Sequence, residues 1–211
     1  TVKRMIRPFS AGRALLPLCF AAVMAIAVSA QPGVEQKRAE GKAAFDEAIK
    51  LRQENTLKSY RSALEKFELS VRLYQEIGDK GNAGSSLLGV GLIQNLLFEN
   101  DAALASYQKA LAIFREIGHK ELEARALNNI GRLYDEIGEK QKALDHHFQA
   151  LPLRLITGDK YGEANSLNSI GSVYADLGER RKAIEHFERA LKIQTETDDK
   201  RAQAITLSNL G

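Results

Sequence analysis

The side chains best suited to chemistry are three histidines. His146 and His147 are adjacent, and His186 stands forty residues after His146. On stacked helices His146 and His186 would come within about 10 Å, too far for one zinc ion without a third ligand. Solvated helix positions account for them, and no metal is expected. Tyr161, Ser166 and the scattered Asp and Glu residues form no nucleophile and base pair at a recognisable spacing. No glycine-rich stretch follows a strand, so a phosphate loop is not expected. The single cysteine, Cys19, falls in an apolar leader. These residues point to a chain that binds without a covalent step or a cofactor.

Any such chemistry would have to be positioned by a repeated element. Leu127-Asn-Asn-Ile-Gly131, Tyr134 and Gly138-Glu139-Lys140 return as Leu167-Asn-Ser-Ile-Gly171, Tyr174 and Gly178-Glu179-Arg180, with looser copies at Leu87 and Leu207. The blocks 81–120, 121–160 and 161–200 align without a gap, and 201–211 opens a further copy. A fixed period of this length marks a stack of units, none of which can bury its apolar face alone. Residues 31–80 read as a linker and a degenerate first unit, because Ala63-Leu64, Phe67 and Gly78-Asp79-Lys80 align with Ala103-Leu104, Tyr107 and Gly118-His119-Lys120. A polar, atypical end unit is what caps such a stack.

The ends of the chain carry their own signals. Residues 1–30 hold four cations (Lys3, Arg4, Arg7, Arg13), no acid, an apolar run from Ala14 to Val28 and the small-residue site Val28-Ser-Ala30. That is the layout of a secretory signal peptide, so export to the periplasm or the exterior with cleavage after Ala30 is expected. The apolar run is shorter than the roughly 20 residues that span a bilayer, so membrane contact would require an uncleaved leader. Without it the chain is close to neutral and lacks the basic footprint of a nucleic-acid binder. The stop at Gly211 in mid-repeat and a start without Met suggest a piece of a longer protein.

Within the repeat, apolar residues recur at helical spacing. A first helix is expected from Gln36 to Arg52 on Ala39, Ala43, Ala44, Ala48 and Leu51, and a second from Leu57 to Ile77. Each complete unit then reads as helix A, turn, helix B, turn, for example Glu121–Ile137 and Lys142–Ile156. Gly138 and Gly178 end A helices, while Gly78, Gly118 and Gly158 end B helices, since glycine enters the left-handed conformation at little cost. Asp79 and Asp159 are placed as N-caps, and Asp198 in place of glycine predicts a looser turn. Gly131, Ala143 and Ala150 let the two backbones approach, with Tyr134 and Leu151 filling the space around them. Pro152 should kink its helix.

At these residues the chain resembles the tetratricopeptide repeat family: Leu127, Ile130-Gly131, Tyr134, Gly138, Ala143 and Ala150 match its pattern, and Phe67, Tyr107 and Phe187 supply the aromatic that His147 replaces. The forty-residue unit is similar to that of kinesin light chains and spindle-orientation adaptors. Gln149-Ala-Leu-Pro-Leu-Arg154 and Thr56-Leu-Lys-Ser-Tyr-Arg-Ser-Ala-Leu-Glu-Lys-Phe67 look like bacterial proteins that place such repeats ahead of a caspase-like CHAT peptidase domain.

The resemblance implies an all-α fold, a right-handed α-solenoid of antiparallel helix pairs, whose A helices line a concave groove for a partner protein or peptide. Carried over, the groove positions are Arg125, Asn128, Asn129, Arg132 and Asp135 in one unit, and Asn165, Asn168, Ser172 and Asp176 in the next. Asn suits a peptide backbone, and Arg132 a carboxylate. In the block 81–120 the groove side carries Leu88, Leu92 and Asn95, with Leu96 beyond. Two accounts of this apolar face stand open: the first unit folds over it, or it is a pocket for a partner side chain. The expected role is an interaction scaffold. The alternative is the recognition half of a larger enzyme, first a CHAT peptidase and second a sensor histidine kinase.

Overall fold

The computed structural model of the chain describes residues 32–211, so the leader and its expected cleavage lie outside the described residues. Among the described residues there are nine helices and no strand: α1 Pro32–Gln53, α2 Leu57–Glu76, α3 Lys80–Leu96, α4 Asn100–Glu116, α5 Lys120–Glu136, α6 Lys140–Thr157, α7 Lys160–Asp176, α8 Arg180–Glu196 and α9 Lys200–Leu210. Each helix packs on the one before and the one after it, so the pairs α1/α2, α3/α4, α5/α6 and α7/α8 stack in chain order. The A helices α3, α5 and α7 also approach one another directly. This is the expected α-solenoid.

Identical turn chemistry spaces the helices. The Glu139 amide donates to the Tyr134 carbonyl at 2.8 Å, and the same six-residue closure joins Asp79 to Tyr74, His119 to Phe114, Asp159 to Arg154 and Glu179 to Tyr174. It satisfies carbonyls that a helix end leaves bare and needs a left-handed residue at its centre. The expected looser turn at Asp198 is not found: Asp198 takes φ 55, and the Asp199 amide still reaches the Gln194 carbonyl at 2.9 Å. A short polar side chain tolerates this conformation. Phe98 also adopts it, at φ 61. Asp79, Asp159 and Asp199 cap α3, α7 and α9 by accepting the third amide of each helix.

Two packing expectations change. In α1 the buried stripe is Gly41, Ala44 and Ala48, while Ala39 and Ala43 face solvent. Phe45 sets this rotation by meeting Phe67 edge-on at 5.3 Å, and Gly41 lies against the ring of Tyr74. In the third unit the ring over Gly131 belongs to His147 and not to Tyr134, which is only half-buried. Tyr107 over Gly91 and Phe187 over Gly171 are the matching pairs. Each large side chain buried in this way stabilises the stack by about 1.5 to 3 kcal/mol. The helix α6 runs through Pro152, which is exposed, for more than a turn beyond it.

Candidate functional site: the A-helix groove

The direct approach of α3, α5 and α7 puts their inward faces side by side, and α1 closes the N-terminal end of this surface. The apolar α3 face divides between two leucines. Leu88 is buried at 5 % exposure, in one core with Phe67 and packed by Phe45 and Ile49 of α1, so the first unit does fold over it. Leu92, one helical turn on, stays half-buried. It borders a concavity of about 70 Å³ lined also by Phe45, Ile49, Arg52, Leu88, Arg125 and Asn129. A larger one of about 400 Å³ continues along the α1–α3 seam, between Arg38, Lys42, Phe45, Tyr74, Asn82 and Ser85.

Within the groove the charges are arranged unevenly. Arg132 lies 3.7 Å from Glu136, whose other oxygen accepts from Asn95 Nδ2 at 2.7 Å. A carboxylate arriving at Arg132 therefore competes with one already there. Arg52 and Arg125 have no ion-pair partner among the described residues; Arg125 is exposed and Arg52 half-buried. Arg52 is not among the groove positions that the repeat pattern implies, because it follows the true α1 stripe, which Phe45 sets and the alanine spacing misplaces.

The asparagines divide. Asn128 Oδ1 is 2.8 Å from His147 Nδ1, while Asn168 Oδ1 accepts from Thr206 at 3.1 Å on α9. Both oxygens are therefore engaged within the protein. Asn129 is half-buried at the pocket, Asn165 is exposed and Ser172 half-buried. Asp135 is drawn from the groove to Lys140 at 2.8 Å, and Lys140 also pairs with Asp176 of the next unit.

His146 and His186 are not solvated, contrary to expectation. His146 stacks on Tyr134 at 5.4 Å and 13°, and His186 on Tyr174 at 5.6 Å and 14°. Lys142 and Lys182 lie 5.4 and 5.2 Å from the same two tyrosine rings. Burial lowers the pKa of both histidines. His147 is fully buried, and burial, helped by His146 and Arg132, pushes it down to about 4. Among the described residues no three His, Cys, Asp or Glu side chains converge on a metal-sized site. The groups that do converge in the groove are guanidinium, carboxamide and aliphatic, a set that hydrogen-bonds, pairs charge and buries apolar surface.

Comparison with known proteins places this geometry. No curated protein sequence matches the chain. Among solved structures, the apo form of RapI is similar with a TM-score of 0.73 at 19% identity, over 90% of this chain and 67% of that one. BtubC from P. vanneervenii gives 0.62 at 22% identity, over 72% of this chain and 63% of its own length. The Rap conjugation gene regulator of plasmid pLS20, solved with the Phr* peptide, gives 0.71 at 16% identity over 90% of this chain, which spans 51% of that structure. The tetratricopeptide repeat model matches residues 83–155 and 162–211, over the stacked pairs just described, and the chain belongs to the tetratricopeptide repeat family.

Proposed function

We propose that this chain is a scaffold that holds a segment of another protein along its A-helix groove, anchored at the pocket between α1, α3 and α5. The observation that carries the reading is the pairing of an apolar floor, Phe45, Leu88 and Leu92, with two guanidiniums, Arg52 and Arg125, that no described acid neutralises. Such a surface favours a segment with a small aliphatic side chain beside a carboxylate. A space of about 70 Å³ is about half the size of an apolar cavity that takes up benzene, which suits a branched methyl terminus better than a ring. The bound peptide in the pLS20 Rap regulator supports the general mode in a protein of similar fold. Affinity arises from several shallow contacts and no covalent step.

Fluorescence anisotropy with a labelled ten-residue peptide of alternating Leu and Glu tests this, against the same peptide with Lys for Glu. The Glu peptide should bind, and R52E or R125E should each weaken it about tenfold, the scale of a charge-assisted hydrogen bond. Equal binding of both peptides, or no effect of either substitution, would sink the reading. Export after cleavage near Ala30 is part of it, supported by the leader's composition, and a secretion reporter fused to residues 1–30 checks it.

A second reading, recognition by the N-terminal part of a larger enzyme, draws on the wording Gln149-Ala-Leu-Pro-Leu-Arg154, which resembles CHAT-peptidase proteins. In that case the groove docks substrate or activator and the chemistry lies outside this chain. The full-length gene decides between a peptidase, a sensor kinase and a free-standing adaptor.

A further inference from the structure

His147 departs from the other rings that cover an A-helix glycine. Tyr107 and Phe187 fill the equivalent place with carbocyclic rings, whereas His147 buries an imidazole completely. Its Nδ1 is 2.8 Å from Asn128 Oδ1, and its Nε2 is buried with no hydrogen-bond partner. These two facts select a tautomer. With Nδ1–H donating to the Asn128 oxygen, the atom left over is a lone pair on Nε2. With Asn128 reversed and donating to Nδ1, the leftover is an N–H on Nε2 that meets no acceptor. An unpaired buried N–H is the rarer and costlier state.

The fourth unit shows what an asparagine at this position does otherwise. Asn168 gives its oxygen to Thr206 and Asn209 on the next A helix. The counterpart of Thr206 for Asn128 is Ser166 on α7, and the Ser166 Oγ is buried without a partner. His147 has taken the oxygen that would otherwise join two units.

We propose that His147 is a positioning residue for the groove, holding the Asn128 carboxamide oxygen inward and its NH2 outward between α5 and α7, where it offers a fixed donor to a bound segment. This rests on the groove reading above and refines it. The third unit then selects an acceptor, such as a backbone carbonyl, while the fourth uses its asparagine to join α7 to α9.

Long-range ¹H–¹⁵N NMR of the labelled chain at neutral pH reads the tautomer directly. The expected result is protonated Nδ1 and bare Nε2, with the Asn128 side-chain amide signals shifting in H147F and staying in place in S166A. A proton on Nε2, or Asn128 signals unmoved by H147F, overturns the proposal. Phe187 already occupies the same place over Gly171, so H147F should fold; the tautomer of the unaltered chain decides the matter even where it does not. For the alternating Leu/Glu peptide, H147F and N128A should each weaken binding about three- to tenfold, the range of one hydrogen bond, and the double variant should add nothing. Additive losses count against the proposal. If the unaltered chain fails to bind that peptide, the partner chemistry of the groove falls, and the tautomer still tests His147.

Discussion

The imidazole of His147 rests on the backbone of Gly131: a Cβ at that glycine would stand 2.7 Å from Cε1 and 2.8 Å from Nδ1. Contact this close leaves no room for a methyl group unless a buried ring moves. G131A should therefore destabilise the chain by about 1 to 3 kcal/mol, overpacking outweighing the gain of roughly 1 kcal/mol in helix propensity. Gly81 is the control. A Cβ there would meet Ile117 at 3.9 Å and Asp79 Oδ1 at 4.0 Å, both ordinary van der Waals distances, so G81A should stabilise by about 0.4 to 1 kcal/mol. Urea melts of the two variants should shift in opposite directions, and a shared sign would refute the packing argument.

The same histidine makes stability depend on pH. Its folded pKa lies at about 4, pushed down by burial, against about 6.5 in the unfolded chain. A depressed value means that the unfolded state binds the proton first. The contribution is therefore complete above about pH 6.5 and is lost progressively as pH falls toward 4, amounting to roughly 3 kcal/mol in all. His146 and His186 are lowered too and act in the same direction. Unfolding free energies measured between pH 7.5 and 5 should fall for the unaltered chain and fall less for H147F. Parallel curves would show that His147 is not the group responsible.

Much of this was readable in advance, for a reason visible at particular residues. The stops at Gly138 and Gly178, and the caps at Asp79 and Asp159, depend on backbone geometry local to a few residues, so residue type alone carries them. Register across units did likewise, because each copy meets the next in the same way. What escaped was side-chain partnership between helices. Tyr134 and His146 stack, yet at the equivalent place in the second unit Ser106 donates to Gln94 at 2.7 Å. Two different chemistries fill one geometric slot, and no periodicity distinguishes a buried histidine from a solvated one. The groove suffered similarly: Asn128 and Asn168 look equivalent in sequence, yet the oxygen of one meets His147 on the B helix of its own unit and that of the other meets Thr206 on the next A helix.

Phe98 stands where the later units have glycine, in the left-handed region at φ 61 and 88% exposed. Its ring earns little burial to offset a conformation that costs a non-glycine residue about 1 to 2 kcal/mol. Glycine there removes that strain and returns part of the gain as unfolded-state entropy. F98G should therefore stabilise by up to about 1 kcal/mol, raising the melting temperature by a few degrees. A lower melting temperature would mean that the ring makes a contact its exposure conceals.

Asp159 holds two partners at once. One carboxylate oxygen accepts from the Gly162 amide at 2.8 Å and caps α7, and the other pairs with Arg154, a guanidinium only 8% exposed at the end of α6. The equivalent caps Asp79 and Asp199 have no such buried cation. Loss of a cap alone costs about 1 kcal/mol, whereas stranding a buried charge costs about 3 to 5 kcal/mol. D159A should accordingly destabilise several times more than D199A, and most of the difference should vanish when Arg154 is also changed to Met. Chemical denaturation of the single and double variants measures this. Equal losses for D159A and D199A would show that Arg154 finds enough water to do without its partner.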